Sequence, residues 1–319
     1  LSKIPGEANI IAFNLALHKI YKTYDYFINS NNTSFLMPSQ IPIISYVHFP
    51  RIARLKSRLV NIHHPLGPQK TWIDKEGAIL KGIGLLYSFH SLKENNYVIA
   101  NSKFTLSNIR KYYPSFHHHI PVIYPPVETH SDSVIPFQER ENVICSVGRF
   151  CEEKNQLAQI RLAKQLPDLQ FHLIGFSGEN NTYLDTCKNF AGKNNINNVH
   201  FHVNVSFDKK SDILKSAKFF LHPNTNEPFG IATVEAILSG CLSLVHNSGG
   251  QVEIVPIKEL RFNAFDEIRA LLRSFMGSDK IYSAMQNDLL HHCRTCFSAD
   301  VFKKNIWECI EYFESNYLQ

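Results

Sequence analysis

Between Asn142 and His246 short apolar runs alternate with longer amphipathic ones, and this alternation predicts an α/β fold with a parallel sheet and right-handed crossovers. Length and composition agree. The chain has 319 residues, room for two domains of about 130 to 170 residues each. Hydrophobic residues at 44% and charged residues at 19% supply core material for two sheets and exclude a disordered chain.

In the first half, residues 26–28, 43–47, 97–100 and 121–124 read as buried strands, with a helix from about 102 to 112. Tyr124-Pro125-Pro126-Val127-Glu128 and the polar run 129–133 read as a hinge, because consecutive prolines stiffen a connection and stop both helix and sheet. Strands follow at 143–148, 171–175, 199–203, 219–222 and 242–246, with a helix at 157–166 after the first of them. This half is predicted to be Rossmann-like. The expected division is 1–135 for an N-terminal lobe, 136–297 for a C-terminal lobe, and 298–319 for a helix packing back on the first lobe.

No apolar run approaches the roughly 20 residues of a membrane span, and the N-terminus lacks a basic-then-apolar leader pattern, so the expected compartment is cytoplasmic. Seven cysteines, odd in number and scattered, suit reduced thiols. The segment His291-His292-Cys293-Arg294-Thr295-Cys296 reads as helical and has no second pair at zinc spacing; no metal site is expected. His117-His118-His119 reads as a solvated loop. A net charge of +5 suits anionic partners such as nucleotide diphosphates or an acidic membrane surface, and is too mild for nucleic acid.

The most informative stretch runs from Asn226 to Ala236, where Glu227 and Glu235 lie eight residues apart around Pro228-Phe229-Gly230. The apolar run before Pro223 predicts a buried strand, and Ile231, Val234, Ile237 and Leu238 recur at helical spacing. Phe229-Gly230 therefore lies at a helix start with free N–H groups, which attracts phosphate, and Gly230 permits close backbone approach. Carboxylates beside such a site suit sugar hydroxyls, which donate. Upstream, Gly148-Arg149 ends a strand and Lys154-Asn155 follows on the next loop, two cations fit for a leaving diphosphate; alternatively Lys154 pairs with Glu152 or Glu153 at the surface. His246-Asn247-Ser248-Gly249-Gly250 is a small-residue loop that either lets a ligand approach the backbone or makes a turn.

Together these elements resemble retaining glycosyltransferases of the two-lobed GT-B type, in the large family numbered four, whose hallmark E-P-F-G-x-x-x-V-E-A reads here from Glu227 to Ala236. Ala100-Asn101-Ser102 and Val122-Ile123-Tyr124-Pro125-Pro126-Val127 match it too. The resemblance implies two Rossmann-like lobes facing a cleft. It implies ribose binding by Glu235, sugar-hydroxyl binding by Glu227, and diphosphate binding by Arg149 and Lys154 beside Gly148. Backbone around Phe229, Gly230 and Ile231 is implied to contact sugar or phosphate. His48, in Tyr46-Val47-His48-Phe49-Pro50, matches a histidine facing the donor sugar; a strand-end histidine bonded to backbone is the plainer alternative. Ser102 either lines the cleft or caps the following helix.

The implied reaction is hexose transfer with retention, without a metal or other cofactor, from a nucleotide-diphosphate sugar to a glycan or lipid-linked glycan acceptor. Association with the cytoplasmic membrane face is a further expectation. Within the family, the strings around His48, Glu227 and Gly249 resemble the alpha-1,2-mannosyltransferases that extend lipid-linked oligosaccharide, which favours GDP-mannose or another hexose donor. The chain departs from the pattern at its start, where a helix is expected after Leu1-Ser2-Lys3-Ile4-Pro5-Gly6 in place of a strand and Gly-Gly loop, so that the N-terminal lobe reads as incomplete. It departs again after Glu253, where a glycine is lacking. Two other readings remain open on sequence alone: a nucleotide-sugar-binding protein with impaired catalysis, and a GT-B epimerase or phosphorylase.

Overall fold

The computed structural model describes residues 21–30, 41–50, 53, 96–114, 116–128, 134–179, 181–276 and 279–318. It divides into two compact units, Leu1–Tyr124 with Lys303–Gln319, and Pro125–Phe302. The division falls inside the predicted hinge, ahead of the expected residue 135. The polar run 129–133, and the helix expected near the start of the chain, lie outside the described residues.

In the first unit, β1 (Phe27–Asn29), β2 (Ile43–Val47) and β3 (Asn96–Ala100) form a parallel sheet in that order. Helix α1 (Lys103–Tyr112) begins at Ser102, whose Oγ accepts from the Thr105 amide at 3.0 Å, so the capping role of Ser102 is the one realised. Val98, Ala100, Ile109, Tyr113, Phe116 and Ile120 pack beneath it. Residues 121–124 are not the strand expected: a single bridge joins Ala100 to Val122. Pro121 contributes a carbonyl to Ala100 but has no N–H to donate, and Pro125 and Pro126 end the pairing. His117, His118 and His119 are exposed, as a solvated loop requires.

The second unit contains β4 (Glu141–Val147), β5 (Gln170–Gly175), β6 (Val199–Val203), β7 (Ala217–His222), β8 (Leu242–His246) and β9 (Arg261–Phe262). All pair in parallel in the order β6-β5-β4-β7-β8-β9. The helices between them are α2 (Gln156–Gln165), α3 (Thr182–Lys193), α4 (Phe207–Ser216), α5 (Ile231–Leu238) and α6 (Gln251–Ile254). Central strands carry near-continuous buried runs, such as Phe219-Phe220-Leu221 on β7, as strands covered on both faces must. Edge strand β6 is only partly buried. The chain starts at β4, steps outward to β6, then returns to β7 on the other side of β4. Strand order reverses there, so the loops leaving the carboxyl ends of β4 and β7 diverge and leave a crevice, the place where open α/β sheets bind ligands.

Beyond β9 come α7 (Glu267–Met276), α8 (Asp279–Cys296) and α9 (Ala299–Tyr317). The end of α9 packs within the first unit: Phe313 is fully buried with ring centroids 5.3 Å from Tyr26 and 5.9 Å from Tyr97, and the Tyr26 hydroxyl donates to Glu314 at 2.9 Å. Replacing Phe313 by Ala empties that position and should cost about 3–5 kcal/mol. Urea denaturation of the F313A variant checks this; a midpoint equal to wild type would show that α9 is not part of the core.

Candidate functional site

Each predicted site residue in the second unit lies beyond the carboxyl end of a strand. Gly148 and Arg149 follow β4, and a 3-10 turn at Glu152–Lys154 then closes on Asn155, whose φ of 53° ends it and starts α2. Two buried glutamines pin this loop. Gln156 Nε2 donates to the Arg149 carbonyl at 2.9 Å and Gln159 Nε2 to the Lys154 carbonyl at 3.2 Å. A Cβ on Gly148 would stand 3.1 Å from Lys154 Cδ, so the missing side chain is the room through which the lysine stem passes.

Lys154 reaches Glu227, not Glu152 or Glu153. Its Nζ lies 3.0 Å from Glu227 Oε2, and the same oxygen accepts from Asn224 Nδ2 at 3.0 Å and from His222 Nε2 at 3.3 Å. All three donors converge on Oε2, and among the described residues Oε1 has no hydrogen-bond partner. Burial works to raise the Glu227 carboxyl, but the hydrogen bond and charge of His222 and the charge of Lys154 outweigh it and hold the group well below the usual carboxylate range. Glu227 is therefore an acceptor and not an acid at neutral pH. His222 is nearly inaccessible, its side chain 4% exposed, while Glu227 remains 21% exposed.

The loop carrying Glu227 is held from behind by the small-residue loop after β8. Gly250 N donates to the Glu227 carbonyl at 2.7 Å, and Ser248 Oγ accepts from Asn226 N at 2.9 Å. Gly249 has φ 75°, and a Cβ there would stand 2.5 Å from the Glu227 carbonyl oxygen; one on Gly250 would collide with the Pro228 carbonyl. The glycine pair thus lets two loops of the site touch. Gln251 Nε2, fully buried, ties the Asn224 carbonyl at 2.7 Å to that of His246 at 2.9 Å.

Gly230 caps α5 with φ 114°. A Cβ there would meet Ile254 and Thr233 only at 3.4 Å, so it is the left-handed backbone conformation, and not a clash with these side chains, that calls for glycine. Phe229 turns its ring into the core, edge-on to Phe297 at 5.3 Å, and so anchors the helix start. One turn into α5, Glu235 accepts from Lys210 Nζ on both oxygens at 2.9 Å. A pocket of ≈ 140 Å³ adjoins the pair, with Val127, Phe207, Lys210, Leu214, Ile231 and Glu235 among its lining residues.

The structure thus joins Lys154 to Glu227 and sets Glu235 and Ile231 on one pocket. Arg149 is exposed, and its guanidinium makes no contact with that cluster among the described residues. His48 belongs to the first unit, where its Nε2 donates to the Ser30 carbonyl at 2.9 Å and its ring stands edge-on to Tyr46, the backbone-bonded arrangement. Sequence reasoning missed His222, Asn224 and Lys210. One signal for Lys210 was present: a lysine near the N-terminal end of a helix opposes the macrodipole and calls for an acidic partner.

The switch point of the parallel sheet gathers paired carboxylates, lysines and a helix start on an α/β fold of the GT-B class. Residues 128–276 match the family model described as "Glycosyl transferases group 1". The chain is 27% identical over 270 residues to the GDP-Man:Man(3)GlcNAc(2)-PP-Dol alpha-1,2-mannosyltransferase of Mus musculus, covering 76% of this chain and 54% of that protein. It spans about half the length of the curated relatives it matches. Its fold is shared with sucrose-phosphate synthase of Thermosynechococcus elongatus (TM-score 0.73, 13% identity, covering 98% of this chain and 80% of that one). Anabaena HepE, solved in complex with UDP and glucose, shares it as well (TM-score 0.65, 14% identity, covering 96% and 76%).

Gly249→Ala tests the loop contact. Forcing a Cβ into a left-handed position against Glu227 should cost about 1–3 kcal/mol in urea denaturation. Gly192→Ala, where a Cβ meets nothing within 4 Å at the end of α3, should be neutral or stabilising. Equal stabilities for the two variants would refute the contact.

Proposed function

We propose that this chain carries the donor site of a retaining glycosyltransferase that moves a hexose from a nucleotide-diphosphate sugar to a lipid-linked glycan. The observation that carries the reading is the asymmetric Glu227 carboxylate: one oxygen accepts from Lys154, His222 and Asn224, and the other, without a partner among the described residues, suits a sugar hydroxyl. Glu235, lining a pocket one turn into α5, takes the ribose hydroxyls. Arg149 and Lys154, on the loop after β4, face the diphosphate and offset the charge that develops as the sugar–phosphate bond breaks. With side-chain cations in that role the reaction runs without a metal. First-turn amides of α5, around Gly230 and Ile231, add a partial positive charge for the phosphates.

Retention follows a front-face path in which the departing diphosphate takes the acceptor's proton; Glu227, fixed as a hydrogen-bond acceptor, is not a nucleophile. His48 acts on turnover more than on donor binding. GDP-mannose is the preferred donor, on the strength of the mannosyltransferase relatives. Their names place the acceptor on a dolichyl carrier, which together with the net charge of +5 supports work at the cytoplasmic face of a membrane.

The test is incubation with GDP-mannose or UDP-glucose and a lipid-linked Man3GlcNAc2 acceptor, following nucleoside diphosphate release and the product's anomeric form. The expected result is acceptor-dependent release with an α-linked product, insensitive to EDTA. Glu227→Ala should lower the transfer rate by about 100-fold or more, given the usual worth of a group that orients the reacting sugar. His48→Ala should slow transfer with donor affinity nearly kept. Donor binding without turnover, phosphate-dependent cleavage, or release of epimerised free sugar would each overturn the reading.

A further inference from the structure

Resting on the reading that the second unit holds a nucleoside diphosphate, we propose that Lys210 is a positioning residue for ribose recognition, setting both the orientation and the charge of Glu235. The two residues lie 25 positions apart, near the N-terminal ends of neighbouring helices. Ser206 caps α4, its Oγ accepting from Lys209 N at 3.3 Å, and this places Lys210 one turn in. Ile213 and Leu214 of α4 share a core with Ala236 of α5, so the helix backbones are fixed relative to each other. On that fixed base the Lys210 ammonium donates to both Glu235 oxygens at 2.9 Å. It also lies over the Phe207 ring, 4.7 Å from the centroid, and the two side chains of the pair are only 19% and 25% exposed.

The positive end of the α4 dipole and Lys209 beside it disfavour a cation here, and although Asp208 stands in the same first turn, Lys210 makes its ion pair with Glu235 of the neighbouring helix. Such a break with local preference, compensated by one carboxylate at the wall of a pocket, points to function. The geometry also explains the chemistry. Without Lys210, Glu235 would present an unbalanced negative charge beside the expected path of an anionic diphosphate, and a side chain free to rotate away from the ribose. With it, the carboxylate is neutralised and held, and each oxygen keeps a lone pair for one hydroxyl of a vicinal diol. The site therefore reads ribose through a lysine-oriented carboxylate.

Calorimetric titration of GDP, UDP and their 2′,3′-dideoxy forms against wild type, Lys210→Met and Lys210→Arg decides the matter. Wild type should bind one ribonucleotide about tenfold more tightly than its dideoxy form, the usual worth of hydrogen bonds to a charged group. K210M should bring that ratio close to one while still binding the dideoxynucleotide, which also reports an intact fold; K210R should restore part of the ratio. If wild type binds neither GDP nor UDP, the functional reading falls and this inference with it. If wild type binds but shows no ribose preference, or K210M keeps the full preference or binds the ribonucleotide more tightly, the role of Lys210 is overturned while the nucleotide reading stands. Should K210M bind neither form, K210R decides: a ratio equal to wild type overturns the role, and a reduced one supports it.

Discussion

Three donors on a single carboxylate oxygen hold this site together. Lys154 comes from the loop after β4, and His222 and Asn224 from the end of β7, so Glu227 Oε2 ties the two sides of the topological switch point to each other. Charge-assisted hydrogen bonds of this kind are worth roughly 1.5–3 kcal/mol each before non-additivity is considered. Loss of any one donor leaves a partly buried carboxylate less compensated. The remaining features follow from keeping that oxygen occupied. Gly148 clears the way for the lysine stem, Gln156 and Gln159 pin its loop, and Gly249-Gly250 let the β8 loop press against the backbone of Glu227 and Pro228.

Charge balance repeats along the site. Each hallmark glutamate carries its own lysine, Glu227 with Lys154 and Glu235 with Lys210. Two bare carboxylates would repel an anionic ligand; two neutralised pairs do not. On the proposed function, hydroxyl recognition and diphosphate binding become compatible within one small region, a reason for carboxylates to stand beside a phosphate site.

Much of the second unit was legible because buried parallel strands are written as contiguous apolar runs: 199–203 and 242–246 are strands over those same residues. Strand β9 escaped notice, since two residues, Arg261 and Phe262, carry no pattern. Residues 121–124 misled for the opposite reason, an apolar run whose prolines deny it hydrogen-bond donors. At the site, local signals marked Glu227, Glu235 and Gly148, but not who pairs with whom. Lys154 and Glu227 are 73 positions apart, and nothing in the local spacing of Glu152-Glu153-Lys154 favours the distant partner over the adjacent ones. His222 was hidden as the last residue of an apolar strand. Only the sheet topology, by setting the ends of β4 and β7 side by side, makes the clamp visible.

The clamp has a direct spectroscopic signature in the side-chain carboxyl resonance of Glu227, assigned by comparison with the E227Q variant in protein labelled with ¹³C-glutamate. Followed from neutral to acid pH, that resonance should hold its ionised position to well below the usual carboxylate range. A depressed carboxyl contributes its full stability above the unfolded-state value of about 4.3 and loses it progressively as pH falls from there through its own lower value, so unfolding in acid should precede or accompany the shift. Titration of Glu227 near the model-peptide value of about 4.3, in protein that is still folded, would contradict the account.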